Sequence, residues 1–180
     1  MRLQHKVKCA MGILNSRLTG KRFPLGIGWE LTYSCNSNCA YCRTNKIKTK
    51  QLGKEQVFNI IDELKEMGCQ LITYTGGECT LHPDFEDIVR YTIEKDISCH
   101  VVTNGRLVPE KSDTFKRYVD NVQLTLDGTK EVQEKQRSKG SYEATIRALK
   151  VLRGTKTKLN LNMVLTRENC NIKNLKHVLE

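Results

Sequence analysis

Residues 26–42 read GIGWELTYSCNSNCAYC. Residues 26–33 are rich in aromatic and β-branched side chains and open on glycine, the composition of a strand. Cys35, Cys39 and Cys42 follow in a short polar loop just beyond the carboxyl end of that strand. Thiolates at this spacing can point at one centre, and a soft sulfur donor set selects zinc, copper(I) or an iron–sulfur cluster. Three thiols leave that centre one protein ligand short. Structural zinc normally takes four ligands, and no Cys or His stands at ordinary finger spacing to close the site. Cys79 and His82, in the loop after the next strand, are the alternatives for a fourth. In a cubane cluster, three cysteines leave one iron open to a cofactor or substrate.

Outward from this stretch, strand-like and amphipathic helical segments alternate, the pattern of βαβ units around a parallel sheet. Val57, Ile60, Ile61 and Leu64 place a helix over residues 54–67, stopped by Gly68. A strand over 70–75 precedes a helix opened by Pro83, with Phe85, Ile88, Val89 and Ile93 facing inward. A strand over 98–103, a helix over 110–118 and a strand over 122–126 come next. Ser141 is the expected N-cap of a further helix with Tyr142, Ile146, Leu149 and Leu152 as its buried face. A strand over 158–165 and a last helix complete the series. The fold class is therefore α/β, a partial (β/α) barrel with about five parallel strands, open on one side. Ligands of parallel α/β folds bind beyond the carboxyl ends of the strands, so the five loops there define one candidate site.

The 180 residues fit one domain and fall short of the roughly 250 typical of a full eight-fold barrel. A hydrophobic share of 38% with 28% charged residues implies a buried core and excludes a disordered chain. Lys+Arg 30 against Asp+Glu 20 gives a net charge of +10, which admits an anionic partner such as nucleic acid. No aromatic residues interleave with the basic ones as a base-stacking platform would require, so the pattern does not favour nucleic acid. Eight cysteines would suit a secreted disulfide framework, but residues 1–24 lack the apolar core of a signal peptide. No stretch approaches the ~20 apolar residues of a membrane span. A cytoplasmic location, where clustered thiols bind metal, is the expectation. Residues 1–24 read as a basic N-terminal arm with one short helix.

The segment from Cys35 to Cys42 resembles the C-x3-C-x2-C signature of radical S-adenosylmethionine (SAM) enzymes, down to the aromatic residue before the last cysteine. Gly76-Gly77-Glu78 resembles the family's GGE motif, and Thr103-Asn104-Gly105 its TNG. LTLDG, residues 124–128, resembles the S-L-D-G of the fourth strand; RSKGSY, residues 137–142, resembles R-G-x-G-S-F; Asn162 and Val164 resemble N-x-V. The matches run in order from about residue 25, and the nearest branch includes molybdenum-cofactor, PQQ-peptide and sulfatase-maturation enzymes. The resemblance implies a [4Fe-4S] cluster held by Cys35, Cys39 and Cys42, its open iron chelated by the amino and carboxylate groups of SAM. It implies Tyr41 against the adenine and the Gly76-Gly77 backbone close to the methionine moiety. It further implies Glu78 as acceptor of the ammonium, and Thr103, Thr125 and Asn162 along the cofactor. Arg137 would face the SAM carboxylate, with a surface ion pair as the alternative. The implied reaction is reductive cleavage of SAM to a 5′-deoxyadenosyl radical that abstracts hydrogen from a peptide or small-molecule substrate. A one-electron donor such as flavodoxin or ferredoxin would supply the electron; the basic run over 46–54 reads as a solvated loop, with a docking surface for an acidic donor as the alternative.

Where the family usually has proline after GGE, this chain has Cys79, read as a small residue tolerating the turn, with a functional thiol near the substrate as the alternative; Thr125 replaces serine and keeps the hydroxyl. Cys69 and Cys99 read as core. His5, His100 and His177 read as packing or surface residues, and Cys9 and Cys170 as isolated thiols. The domain expectation is a core over 25–180 that lacks the last barrel strand and any C-terminal extension, leaving the substrate half of the site incomplete. The competing reading is a truncated or non-catalytic module that binds an iron–sulfur cluster or zinc.

Overall fold

Five strands pair in parallel in the order of the sequence: β1 (Ile27–Thr32), β2 (Leu71–Gly76), β3 (Ser98–Val102), β4 (Asn121–Thr125) and β5 (Lys158–Asn162). The computed structural model describes residues 3–47 and 49–180. Crossovers between parallel strands are right-handed, so a sheet wound in simple sequence order collects its crossover helices on one face. They are α2 (Lys54–Glu66), α3 (Phe85–Glu94), α4 (Ser112–Tyr118), α5 (Lys130–Gln136) and α6 (Ser141–Leu152), with α7 (Ile172–Leu179) after β5. The result is an open arc of a (β/α) barrel rather than a doubly wound sheet.

The strand period of two divides the residues between the faces. Ile72 and Tyr74 on β2, Cys99 and Val101 on β3, and Val122 and Leu124 on β4 are buried toward the helices. They meet Val57 and Ile61 of α2, Phe85, Ile88 and Val89 of α3, Phe115 of α4, and Ala148 and Leu152 of α6. Full burial of each such aliphatic or aromatic side chain contributes about 1.5–3 kcal/mol. The hydroxyl of Tyr74, fully buried, is paired with Thr92 Oγ1 at 2.6 Å. Thr75, Val102 and Thr125 belong to the other set and line the concave side.

Three local expectations are corrected. The N-terminal arm holds a 17-residue helix, α1 (Leu3–Thr19), because no proline interrupts residues 3–19 and most of them are good helix formers. Gly140, at φ +78°, rather than Ser141, is the N-cap of α6, and Ser141 is its buried first residue. The buried face of α6 is Ala144, Thr145, Ala148 and Leu152, which lets the helix lie close to the sheet, while Tyr142, Ile146 and Leu149 are half-buried on its flank. Cys69 and Cys99 are buried as expected, Cys79 is buried as well, and Cys170 is exposed.

The helix α1 is stapled to the amino-terminal end of β3 through Asp96. Gln4 Nε2, His5 Nε2 and Lys8 Nζ reach its carboxylate at 2.9, 3.1 and 2.6 Å, and Lys65 Nζ donates to its carbonyl at 3.1 Å. Asp96 takes φ 53° to present both groups, an uncommon conformation for a residue with a Cβ.

At the opposite end of the sheet, Gly76 takes φ +126°, and a Cβ there would run into the Thr32 carbonyl oxygen of β1. Gly76→Ala is therefore expected to destabilise the chain by about 2 kcal/mol or more in a urea titration; a loss within about 0.5 kcal/mol would show that the seam relaxes freely. The Lys8 hydrogen bond, helped by His5, holds the Asp96 carboxyl down at about 2. A depressed folded value adds stability above the unfolded carboxyl value of about 3.9 and loses it as pH falls toward about 2. Pepsin cleavage within residues 3–19 should accordingly rise between about pH 4 and about pH 2. Asp96→Asn should open the same helix to proteases already at neutral pH.

Candidate cofactor site

The strand-end loops converge as expected from the topology. Cys35, Cys39, Tyr41 and Cys42 share one pocket with Gly76, Gly77, Glu78, Thr103, Thr125 and Arg137. Asn162 is not among the residues lining it. Asn162 is, however, the register partner of Thr125 on the edge strand β5, so its exposed side chain projects from the same face of the sheet.

The cysteine loop is fastened to β2 through its backbone. Gly77 N donates to Thr32 O and Glu78 N to Ser34 O, both at 2.8 Å. A Cβ on Gly77 would meet the carbonyl oxygens of Tyr33 and Ser34, as one on Gly76 meets that of Thr32. Both glycines thus let the start of the cysteine loop lie against the end of β2, a tighter requirement than access for a ligand. On the far side, Ala40 N donates to Gln136 O at 2.8 Å, which ties the loop to the last residue of α5.

Glu78 is 1% exposed. Its Oε1 accepts from Thr80 Oγ1 at 2.6 Å, Thr103 Oγ1 at 2.7 Å and Thr80 N at 3.3 Å; its Oε2 accepts from Asn104 N at 2.7 Å. Thr103 spends its hydroxyl on Glu78 and on the Gly105 amide, so it orients the carboxylate. Oε1 is saturated, whereas Oε2 has one donor and keeps acceptor capacity, in a residue that lines the pocket. Asn104 extends the tie, its Nδ2 donating to Asn36 Oδ1 at 2.7 Å and to Ser37 Oγ at 3.2 Å inside the cysteine loop.

Arg137 closes the other wall. Its Nε donates to Asp127 Oδ2 at 2.6 Å in a pair whose side chains are 13% and 0% exposed, so this is a largely buried ion pair and not the surface pair that was the sequence-based alternative. Val164 N also donates to Asp127, at 2.9 Å, and the Arg137 guanidinium lies 5.5 Å from the Tyr41 ring centroid. The arginine therefore lines the pocket with its charge balanced.

Burial pushes the Cys35 and Cys39 thiols up; the Ser37 amide pulls Cys35 back, and the Arg137 charge does the same for Cys39. Burial likewise raises the Tyr41 phenol. Neither sequence-based alternative for a fourth ligand faces the thiols. Cys79 Sγ donates to the Val102 carbonyl at 3.4 Å within the core, and His82 Nε2 is paired with the Leu52 carbonyl at 3.0 Å. Zinc would gather its thiolates at about 2.3 Å around one ion. Among the described residues, no group of three His, Cys, Asp or Glu side chains is placed to hold a single metal ion. Three free thiols spread around one pocket, with no fourth protein ligand, match the donor set of a multi-iron cluster.

Asn104, Arg106, Asp127 and Gln136 also build the site and were not picked out from the sequence. Asn104 and Asp127 stood inside quoted motifs, which was signal enough to find them. Gln136 and Arg106 carried no such signal.

The model of the Radical SAM superfamily matches residues 29–174. Mycofactocin maturase MftC of Mycolicibacterium smegmatis is 37% identical over 153 residues, 81% of this chain and 39% of that protein. An AdoMet-dependent heme synthase of Methanosarcina barkeri is 29% identical over 81% of this chain and 44% of its own length. The chain thus spans less than half the length of these curated relatives. Among solved structures, Streptococcus suis SuiB bound to S-adenosylmethionine superposes with a TM-score of 0.78 at 16% identity, covering 94% of this chain and 40% of that one. The AdoMet-bound anSMEcpe gives 0.74 at 21% identity over 87% and 48%. These two likenesses concern the fold, the same partial (β/α) barrel. The match over residues 29–174 and the maturase identity establish that the chain belongs to the radical SAM superfamily, whose cofactors are a [4Fe-4S] cluster and S-adenosylmethionine.

Proposed function

We propose that this chain forms the cluster- and SAM-binding core of a radical SAM enzyme, with Cys35, Cys39 and Cys42 as the iron ligands. The observation that carries the reading is the shared pocket: three free thiols, no fourth protein ligand among the described residues, and a buried carboxylate with spare acceptor capacity. When bound, the reduced cluster supplies the electron that cleaves SAM to methionine and a 5′-deoxyadenosyl radical. The protein's part is binding, orientation and exclusion of water. Glu78 accepts the SAM ammonium at Oε2, held ready by Thr80, Thr103 and Asn104. Gly76 and Gly77 offer a side-chain-free wall beside it. Tyr41 covers the adenine, Arg137 meets the carboxylate, and Thr125 with Asn162 forms the β5 side of the cofactor's bed.

For the substrate, a peptide is the favoured class, supported by the likeness to SuiB, which was crystallised with its precursor peptide SuiA, and by the maturase relative. The one-electron donor, an acidic flavodoxin or ferredoxin, docks beside the cysteine loop, where Arg43, Lys46 and Lys50 are exposed. Lys54 is already paired with Asp87 and contributes less. No helix among the described residues is long and apolar enough to cross a membrane.

Anaerobic reconstitution with iron and sulfide should load a brown cluster of about four irons, and Cys39→Ala should lose it. With dithionite and SAM the wild-type chain should release 5′-deoxyadenosine. Glu78→Gln should keep its iron and bind SAM about 10–100-fold more weakly, the scale of a hydrogen bond to a charged group. A chain that takes up no iron, or one in which Cys39→Ala retains the cluster unchanged, overturns the reading.

A further inference from the structure

Arg106 does not line the pocket, yet it holds two of its walls. Its Nε donates to Ser37 Oγ at 3.2 Å, and its Nη2 donates to Ser138 Oγ at 3.0 Å and to the Lys139 carbonyl at 2.8 Å. Ser37 lies between Cys35 and Cys39, and Ser138 directly follows Arg137. One guanidinium therefore clamps the cysteine loop to the segment that presents the pocket's arginine.

The clamp is preset. Gly105, at φ +81°, is packed against Leu124 and Ala148, so Arg106 leaves a turn that a larger residue would disturb. The Arg106 amide donates to Asn104 Oδ1 at 3.1 Å, which fixes its direction. The planar fork then spans Ser37 on one side and residues 138–139 on the other, a geometry that a point charge on a flexible stem does not reproduce.

What the clamp controls lies one bond away. The amide of Ser37 donates to Cys35 Sγ at 3.4 Å, and the hydroxyl of the same residue is held by Arg106 Nε and Asn104 Nδ2. Anchoring the hydroxyl fixes the residue and with it the direction of the N–H toward sulfur. Hydrogen bonds to cluster sulfurs stabilise the reduced, more negative state and raise its potential.

Building on the cluster site proposed above, we infer that Arg106 is a positioning residue for that site: through Ser37 it sets the N–H···S bond to Cys35, and thereby the reduction potential of the bound cluster.

The test compares the anaerobically reconstituted full chain with its R106Q, R106K and S37A variants, by iron content and by a redox titration followed by EPR. At the potential where the wild-type cluster is half reduced, R106Q and S37A are expected to show a reduced-to-oxidised ratio lower by about threefold to tenfold, tenfold being about 59 mV for one electron. R106K should side with R106Q, since its ammonium cannot span both partners. Without cluster, amide exchange at residues 36–38 should quicken several-fold in R106Q. Unmoved potentials and exchange in R106Q and S37A overturn the inference. Full rescue by R106K reduces the effect to charge and overturns it as well. Should R106Q fail to fold, S37A decides the matter, because it removes only a hydroxyl. A wild-type chain that takes up no iron removes the cluster site and this inference together, whereas a loaded wild type with unmoved variants removes this inference alone.

Discussion

A carboxylate sealed from water must be surrounded by donors, and at Glu78 the donors come from two different strand ends. Thr80 belongs to its own loop, while Thr103 and Asn104 follow β3. Leaving such a charge unpaired would cost several kcal/mol, so its burial forces the loops after β2 and β3 to stay together. The second strand end carries the constraint onward, because Asn104 also grips Asn36 and Ser37 beside the thiols. Position of the cysteine loop, direction of the carboxylate and shape of the pocket are therefore one mechanical unit. The backbone seam of Gly76 and Gly77 against residues 32–34 is the other half of the same joint.

The opposite wall follows a similar logic, again with a buried carboxylate but with an arginine between it and the pocket. Asp127, fully buried, accepts from Arg137 and from the Val164 amide and so binds the β4 loop to the segment after β5. Its own amide donates to Gln133 Oε1, and Asn169 Nδ2 donates to its carbonyl. Two buried carboxylates thus organise the two sides of the site, one facing the cysteine loop directly and one through an arginine. Each is hydrogen-bonded by protein groups, Glu78 by neutral donors alone and Asp127 by a cation as well, which ties the strand-end loops to one another.

Much of this was legible in the sequence because the strands follow the period of two and their loops carry glycine and polar punctuation. The three thiols, the Gly76-Gly77-Glu78 turn and the order of the motifs fell where the pattern placed them. What escaped has identifiable reasons. The helix α5, KEVQEKQ, has almost no apolar face, since it docks through the amides of Gln133 and Gln136 rather than through hydrophobic contact, and periodicity is blind to that. In α6 the residues against the sheet are alanines and a threonine, chosen for close approach, so the larger Tyr142 and Ile146 misled the reading of its face. Thr103 and the two glycines were recognised, but part of their work is to shape the protein itself. Nothing local in the sequence marks Arg106, because its partners are 69 and 32 positions away in the chain.

The edge strand β5 has a bearing on how the chain behaves in solution. Its outer rim is unpaired among the described residues; Leu161 on it and Leu165 just after it are exposed, as are Ile172, Leu175 and Leu179 on α7. A free rim beside an apolar strip is a template on which another extended segment can add. Lys158 and Asn160, both outside the core, blunt only its first part. The strand that turns Asn162 toward the concave face thus also presents, among the described residues, an unpaired rim on its other side.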